Sequence, residues 1–343
     1  MKQILRRLAG FAELRRLAGF AEVIRFALAV AAALAAPAAL AQAQSYPSQP
    51  IRLVVPYPAG GNPDAVARAL ALQLERQMGQ SIVIDNRAGA SGVIGMDIAA
   101  RAAPNGYTML FATSSLVLNQ ALREKPPYDI ERDFAAVTSI CEGQGHLLVV
   151  HPSVRAQNLA EFIALARNPK ERIHYGSSGT ANLSRVMGDL FNVRAGTHMV
   201  NVPYKGSSPA MNALLGGEIE AMFLTAIIGL GPVKAGKLRA IGFTGASRLK
   251  SLPDVPSIAE VLPTYRIDGG WMGWLAPAKT PPQIVARMHA EIAKAVKGPK
   301  LRELMVTGGY EPVATPPEAF SKFMREELVR FREIAKVANI KVE

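Results

Sequence analysis

The sequence predicts an α/β protein of two lobes, with mostly parallel sheets and helices on both faces. Three observations support this prediction. The chain has 343 residues, more than one ordinary domain, and 49% of them are hydrophobic. Short apolar segments alternate with segments of helical periodicity, in two separate series. Loops rich in Gly, Pro and Ser follow several of the apolar segments, as at the carboxyl ends of parallel strands.

The first series starts with an apolar pentapeptide that predicts a buried strand. Its predicted elements run in the order strand, helix, strand, helix, strand, which requires a parallel sheet with crossover helices. They are Ile51–Val55, Val66–Met78, Ser81–Asp85, Met96–Ala102 and Tyr107–Thr113.

The second series continues the alternation and is followed by a helical tail. Its predicted strands are His146–His151, Ile173–Gly176, Met199–Pro203, Ala221–Thr225 and Ala240–Thr244, and its predicted helices are Leu159–Arg167, Leu183–Phe191 and Pro209–Leu215. Gly269–Pro277 is again extended. Three helices that each begin with proline, a residue suited to a first turn, complete the chain: Pro282–Val296, Pro299–Thr307 and Pro317–Ala338.

Residues 1–43 predict a secretory signal peptide. The Ala/Leu/Val run Phe26–Leu40 is too short to span a bilayer comfortably, and small residues allow cleavage after Ala41 or Ala43. We therefore expect an exported, periplasmic protein. Leu5–Glu13 is repeated word for word as Leu14–Glu22. We interpret the repeat as a duplicated leader segment, with an amphipathic membrane anchor as the alternative.

Composition argues against several classes of function. The formal charge is +12, but no Lys/Arg run with interleaved aromatic residues occurs, so nucleic-acid binding is not expected. Cys141 is the single cysteine and is interpreted as a buried apolar residue. The five histidines have no metal-ligand spacing, and no Walker or nucleophile-elbow motif occurs. No cofactor or metal is predicted.

Polar and glycine-rich segments follow the predicted strands and are expected to converge on one cleft between the lobes. Glycine allows backbone N–H groups to approach a ligand, and helix N-termini favour anions. The segments are Tyr57–Asp64, Asp85–Gly92, Thr113–Asn119, Ser177–Asn182, Tyr204–Ser208 and Thr225.

An ordered set of short motifs over nearly all of the predicted mature chain resembles the Bug-type (TctC-like) periplasmic receptors of tripartite tricarboxylate transporters. The motifs are Pro58-Ala59-Gly60-Gly61 with Asp64, Asn86-Arg87-Ala88-Gly89, Pro104-Asn105-Gly106-Tyr107-Thr108, His151-Pro152-Ser153, Tyr175-Gly176-Ser177-Ser178-Gly179, Val202-Pro203-Tyr204-Lys205-Gly206, Leu214-Leu215-Gly216-Gly217, Lys234–Ala240 and Leu252-Pro253-Asp254-Val255-Pro256.

The resemblance implies a Venus-flytrap receptor, a monomer without cofactor or catalysis. Its two lobes would be joined by crossing strands, with residues 44–145 and 270–343 in lobe 1 and residues 146–269 in lobe 2. They would close over a small di-, tri- or aromatic carboxylate and deliver it to membrane transporter subunits. Two alternatives remain open, an exported enzyme acting on small acids and a receptor that feeds a sensor kinase.

The resemblance also implies a set of ligand-binding residues in strand-end loops of both lobes. They are Tyr57, Pro58, Ala59, Gly60, Gly61, Asp64, Thr113, Ser114 and Asn119 in lobe 1, and Ser177, Ser178, Gly179, Thr180, Arg185, Tyr204, Lys205, Gly206 and Thr225 in lobe 2. The chain departs from the family pattern at Arg185, where the family usually has His, at Asn212, where Asp is common, and at Phe223-Leu224-Thr225, where Phe-Asp-Asn is common. The last departure removes a partner for an ammonium group, so a plain carboxylate is expected.

Several of these residues also have a purely structural interpretation. Asp64 is expected mainly to cap a helix, with orientation of the loop as the alternative. Arg185 could bind a ligand carboxylate or be a solvated helix charge, and Lys205 could pair with the ligand or with another side chain. The serines of Ser177-Ser178 could donate to a carboxylate or to their own loop. Trp271 and Trp274 are interpreted as core residues, with stacking on an aromatic ligand as the alternative. The histidines are interpreted as structural: His146, His151, His174, His198 and His289.

Overall fold

The computed structural model describes residues 46–267 and 269–340. The predicted signal peptide and the repeated segment lie outside the described residues. The strands are β1 Ile51–Val55, β2 Ile82–Asn86, β3 Thr108–Thr113, β4 Phe134–Gly143, β5 Leu147–Val150, β6 His174–Ser177, β7 Val200–Pro203, β8 Ala221–Leu224, β9 Arg239–Phe243, β10 Trp271–Pro277 and β11 Tyr310–Pro312.

Helices connect and cover these strands, and a single 3₁₀ turn at Ala90–Gly92 precedes the second helix. The helices are α1 Asn62–Met78, α2 Val93–Ala100, α3 Ser115–Leu122, α4 Leu159–Arg167, α5 Leu183–Ala195, α6 Ser207–Leu215, α7 Ala226–Lys234, α8 Ile258–Val261, α9 Pro282–Val296, α10 Pro299–Thr307 and α11 Pro317–Val337. Among the described residues, no helix is both long enough and apolar enough to cross a membrane.

The strands form two sheets. The first has the order β11-β4-β10-β3-β1-β2, and the second has the order β7-β6-β8-β5-β9. We call the first sheet with its helices lobe 1 and the second with its helices lobe 2. The predicted α/β class is confirmed, whereas the prediction of mostly parallel sheets needs a correction. β1–β2, β1–β3, β6–β7 and β6–β8 are parallel, but the other five pairings are antiparallel, so both sheets are mixed.

Antiparallel pairing arises where the chain passes between the sheets. β4 leaves lobe 1 and β10 returns to it, so the two strands run side by side in opposite directions. β4 was not predicted, because its ten residues, FAAVTSICEG, mix polar and apolar residues without strict alternation although most are buried. α7 was also missed. It contains two glycines and Pro232, which hide a helix from propensity arguments.

The passage between the lobes consists of backbone in direct contact with backbone. The N–H of Gly143 donates to the carbonyl of Gly270 (2.6 Å), and the N–H of Gly269 donates to the carbonyl of Gly143 (3.1 Å). A Cβ on Gly143 would lie 2.4 Å from the carbonyl oxygen of Gly269, and a Cβ on Gly145 would lie 2.4 Å from the nitrogen of Gly245. Only glycine permits this approach, so the crossing behaves as a narrow hinge.

Candidate functional site

A cavity lies between the two lobes, beside the crossing segments. We call it the inner cavity. Its volume is about 90 Å³, which gives room for roughly six to nine water-sized groups. Hydroxyl, amide and apolar side chains share its walls, and among the described residues that line it there is no Lys, Arg, Asp or Glu. The cavity therefore fits a small molecule, and any charge on that molecule must be met by dipoles.

Those dipoles come from helix N-termini. Within the described residues, five helices of eight residues or more present their first turns to the inner cavity. The lining residues at these termini are Gly61 and Asn62 of α1, Ser114 and Ser115 of α3, Asn182 and Ser184 of α5, Gly206 and Ser207 of α6, and Thr225 of α7. Each terminus carries the positive end of a helix dipole and backbone N–H groups without helical acceptors, so the cavity favours an anion without any cationic side chain.

A mouth cavity adjoins the inner one. It is lined by residues of the Gly-rich loop after β2 and by the loops after β6 and β7, including Ser91, Thr180 and Lys205. Tyr57, Pro58, Ser178 and Gly206 line both cavities and form their shared wall. Lys205 gives the mouth cavity a positive side chain.

Asp64 fixes the conformation of the loop between β1 and α1. Its Oδ2 accepts hydrogen bonds from the N–H of Gly60 and from Nε of Arg68, both at 2.9 Å, and its Oδ1 accepts from Nδ2 of Asn86 at 2.9 Å. The helix begins at Asn62 with Gly61 as its N-cap, so the predicted start at Val66 and capping by Asp64 are corrected. The first turn of this helix was not predicted from the sequence because the turn contains Pro63. Burial raises the pKa of Asp64, but the bonds from Arg68, Gly60 and Asn86 outweigh it and hold that pKa below its ordinary value.

We expect Asp64→Asn to weaken ligand binding about 10-fold, because the neutral amide loses charge-assisted bonds that position Gly60 and the start of α1. Isothermal titration with a bound carboxylate measures the change. Asp97→Asn is the matched control, since Asp97 also pairs with an arginine at i+4, but the bonds from Gly60 and Asn86 go to Asp64 and not to Asp97. Equal affinities of the Asp64 and Asp97 variants would contradict this role.

The loop after β6 is held by its own polar groups. The buried hydroxyl of Ser177 has one hydrogen to donate and lies within reach of two acceptors, the carbonyl of Gly179 (3.2 Å) and Oδ1 of Asn201 (3.3 Å). The N–H of Ser178 donates to Oγ of Ser184 (3.0 Å), and Oδ1 of Asn182 accepts from the N–H of Ser184 (3.1 Å). Ser177 therefore shapes the loop, while Ser178 is the serine that reaches both cavities.

The two lobes touch across the cleft in this conformation. Nδ2 of Asn182 donates to Oγ of Ser115 (3.0 Å), and the N–H of Ala181 donates to Oγ of Ser91 (3.2 Å). A Cβ on Gly206 would lie 2.7 Å from Cγ of Pro58, so these loops approach as closely as glycine allows. The strand-end loops predicted to converge do so, and the conformation is a closed one.

The predicted site residues divide into two groups. Those that line a cavity are Tyr57, Pro58, Gly61, Thr113, Ser114, Ser178, Gly179, Thr180, Tyr204, Lys205, Gly206 and Thr225. Those that line neither are Ala59, Gly60, Asp64, Asn119, Ser177 and Arg185. Some residues of the second group hold the cavity-lining loops in position. Nδ2 of Asn119 donates to the carbonyl of Ser91 (3.0 Å), and Nη1 of Arg185 donates to the carbonyl of Thr180 (3.0 Å) while its Nε donates to Asp189 (3.2 Å).

Sequence reasoning missed several residues that line the inner cavity. They are Asn62, His146, Asn182, Ser184, Ser207 and Trp271. Asn62, Asn182 and Ser207 lie inside loops that the sequence does mark, so their position at a helix start was the available signal. Trp271 packs edge-on against Phe320, with ring centroids 5.1 Å apart, and also lines the cavity. Its structural interpretation was therefore incomplete.

His146 is buried at the hinge side of the inner cavity, and burial lowers its pKa to about 4. In the unfolded chain a histidine titrates near 6.5, so below that pH the unfolded state takes up a proton that the folded state refuses. Stability is therefore fully present above pH 6.5 and falls as the pH drops toward 4. We expect the wild-type protein to lose about 2 kcal/mol between pH 7.5 and pH 5 from this group alone.

Urea unfolding of the wild type and of His146→Asn at both pH values measures that loss. The variant should lack about 2 kcal/mol of the acid-induced destabilisation. Acid destabilisation of equal size in both proteins would contradict a buried, neutral imidazole.

Comparison with known families agrees with this geometry. Residues 66–340 match the family described as "Tripartite tricarboxylate transporter family receptor". That match covers most of the chain and places it in a family of solute-binding proteins rather than enzymes. Such a family is extracytoplasmic.

Solved structures of similar chains extend the comparison. The periplasmic binding protein BugD is 27% identical, with a TM-score of 0.83 over 87% of this chain and 100% of that one. Rpa4515 of R. palustris, solved with adipate, is 30% identical, with a TM-score of 0.83 over 86% and 99% of the two chains. MatC of Rhodopseudomonas palustris, solved with bound malate, is 27% identical, with a TM-score of 0.79 over 84% and 99%.

The two-lobe periplasmic-binding-protein architecture predicted from the sequence is confirmed by these likenesses. In this architecture five helix N-termini present the positive ends of their dipoles to the inner cavity. The chain belongs to the tripartite tricarboxylate transporter receptor family, as a Bug-type, TctC-like solute-binding protein.

Proposed function

We propose that this protein captures a small organic carboxylate in the inner cavity and delivers it to the membrane subunits of a tripartite tricarboxylate-type transporter. The observation that carries the proposal is the convergence of five helix N-termini on a cavity whose described lining holds no charged side chain. The adipate and malate bound in similar chains support the same ligand class.

Binding would combine dipoles with hydrogen bonds to the charged ligand. A carboxylate oxygen at a helix N-terminus accepts from backbone N–H groups, and neighbouring Ser or Thr hydroxyls can donate to the second oxygen. In a closed cleft these charge-assisted bonds are stronger than in water, because the local dielectric constant is lower. The carboxylate is thus recognised by groups common to many acids, and the rest of the cavity selects among them.

The binding residues proposed on this basis are the loop residues that line the two cavities. Gly61 and Ser114 present lobe 1 helix starts, and Ser178 and Gly206 face them from lobe 2. Lys205 at the mouth would attract the anion toward the cleft. Ligand binding then favours the closed conformer and biases the hinge.

Arg185 is proposed to act on the ligand through the Thr180 loop. We expect Arg185→Ala to lower the affinity for monocarboxylates and for dicarboxylates by a similar factor, about five to ten. The reason is that the substitution removes a hydrogen bond to the carbonyl of Thr180 and not a bond to the ligand. Titration with butyrate and succinate separates the two roles. A loss confined to succinate would indicate direct pairing with a second carboxylate, and an unchanged affinity for both would remove Arg185 from the site.

Export through the predicted signal peptide, cleaved after Ala41 or Ala43, would place the mature protein in the periplasm as a monomer. The lobe boundaries 44–145 with 270–343 and 146–269 are part of the same proposal. A receptor that feeds a sensor kinase would use the same cleft. Loss of carboxylate uptake in a deletion strain would favour transport, and loss of a transcriptional response with intact uptake would favour sensing.

A thermal-shift screen tests the ligand class directly. The mature protein is heated with millimolar mono-, di-, tri- and aromatic carboxylates, and with amines and sugars as controls. A ligand at 100 times its dissociation constant stabilises by about 2.7 kcal/mol, which gives a clear shift. Stabilisation by amines or sugars, with none by carboxylates, would overturn the proposal.

A further inference from the structure

We propose that the hinge side of the inner cavity is a subsite for an uncharged oxygen-bearing group, so that the preferred ligand is a monocarboxylate with a distal hydroxyl or carbonyl. The inference rests on the proposed function, because it assigns the second end of a ligand whose carboxylate is held by the strand-end loops. It names a narrower chemical class than carboxylates in general.

The subsite is marked by buried polar atoms that lack partners. In residues 46–267 and 269–340, no hydrogen-bond partner is found for Nδ1 of His146, Oγ1 of Thr225 or Nε1 of Trp271. All three residues line the inner cavity and are at least nine-tenths buried. Roughly 90% or more of buried polar groups in proteins are paired. Oδ1 of Asn62, at the start of α1, is a fourth such atom among the described residues of this lining. Trp271 also lines a second cavity beside Glu142 and Arg330, so the subsite is marked by Nδ1 of His146 and Oγ1 of Thr225, whose missing partner a bound molecule would supply.

The sheet brings two of these residues together. β5 and β8 are antiparallel with Leu147 opposite Leu224, so the next residues in register, His146 and Thr225, end the two strands side by side. Thr225 is also the N-cap of α7, yet its side chain makes no capping bond. A threonine at that position usually accepts from the first turn. Its hydroxyl is instead available beside the uncapped helix start.

The surroundings favour a neutral group over a second carboxylate. Burial keeps the imidazole of His146 uncharged at neutral pH. The described lining of the inner cavity contains no cation, and the Lys205 side chain is at the mouth. A second carboxylate here would have only helix dipoles, such as that of α7 at Thr225, to offset its charge, and it would be repelled by the first carboxylate and lose its hydration. A hydroxyl or carbonyl could form hydrogen bonds with these side chains without those penalties.

Apolar side chains complete the lining of the inner cavity, namely those of Leu183, Met222, Ile228 and Met272. They match a short alkyl or aryl segment between the two polar ends of the ligand. The cavity thus fits an acid that is charged at the loop end, apolar in the middle and neutral but polar at the hinge end.

The test compares matched acids by isothermal titration at pH 7.5. One set is 4-hydroxybutyrate, succinate and butyrate, and the other is 6-hydroxyhexanoate, adipate and hexanoate. We expect the hydroxy acid to bind at least 10-fold more tightly than both companions in at least one set. A diacid that binds more tightly than the hydroxy acid in both sets would overturn the inference.

Substitutions at Thr225 connect any preference to the subsite. Thr225→Val should reduce the ratio between hydroxy acid and unsubstituted acid to about one, whereas Thr225→Ser should retain most of it, with melting curves confirming that both variants fold. A ratio that Thr225→Val does not change would refute the subsite and leave the proposed function intact. If no carboxylate binds the wild type at all, the proposed function fails together with this inference.

Discussion

Replacing Gly308 by Val should lower the affinity for a carboxylate at least 100-fold without unfolding the protein. Gly308 follows α10 in lobe 1, and a Cβ there would lie 1.7 Å from Cγ1 of Ile227 in α7 of lobe 2. The φ of Gly308 is −79°, a value open to any residue, so the substitution introduces no backbone strain. Separation of α10 from α7 would relieve the clash.

If the substitution hinders closure, a smaller fraction of the protein is in the closed form that binds the ligand, and the apparent affinity falls. If the bulky side chain raises the free energy of the closed form by about 2.7 kcal/mol, the apparent dissociation constant rises 100-fold, because only the closed form completes the ring of helix N-termini. Isothermal titration measures the affinity, and small-angle scattering with ligand measures the closure.

Gly231→Ala is the control for this experiment. Gly231 is in α7, and a Cβ there would meet nothing within 4 Å. That variant should close and bind as the wild type does. A Gly308→Val protein that binds with wild-type affinity and contracts on ligand addition would show that the Ile227 contact is dispensable for closure.

The convergence of the loops could be predicted because parallel strands carry their loops at one edge. Tyr57 follows β1 and Asn86 ends β2, and these strands lie side by side, so the proximity of the two residues follows from sheet topology alone. The same argument joins Ser178 to Tyr204 through β6 and β7. Local sequence contains this information, since a strand and its following turn are neighbours in the chain.

The subsite beside the hinge could not be found in that way. His146 meets Thr225 through an antiparallel pairing in which the paired residues are 71 to 77 positions apart in the sequence, and nothing near either residue specifies the pairing. The direction in which a long side chain points could not be predicted from the sequence either. Arg185 is on the helix after the Ser177-Ser178-Gly179 loop, as expected, but its guanidinium turns to the carbonyl of Thr180 and to Asp189. Such choices depend on packing rather than on spacing.

Gly143→Ala should destabilise the protein by about 3 kcal/mol. This is the upper end of the usual cost of overpacking, because the added methyl group meets backbone atoms that cannot move aside as a side chain can. A Cβ on Gly143 would lie 2.4 Å from the carbonyl oxygen of Gly269, which belongs to the second crossing segment. The two segments would have to separate, and the bonds from Gly143 N–H to Gly270 and from Gly269 N–H to Gly143 would lengthen. Since the entropy of unfolding is about 2.1 cal/mol/K per residue, the melting temperature of a chain of this size should fall by roughly 4–5 °C.

A substitution in the second crossing segment, at Gly269, tests the same contact independently. A Cβ on Gly269 would lie 2.5 Å from the carbonyl oxygen of Gly143, so Gly269→Ala disrupts the same approach of backbones. Once the segments have separated for one methyl group, the second is accommodated at less cost. The double variant should therefore lose clearly less stability than the sum of the single losses, with Gly231→Ala as the neutral reference. Strict additivity would mean that the two glycines serve separate purposes, and the crossing would then not be the single tight hinge that couples lobe closure to the ligand.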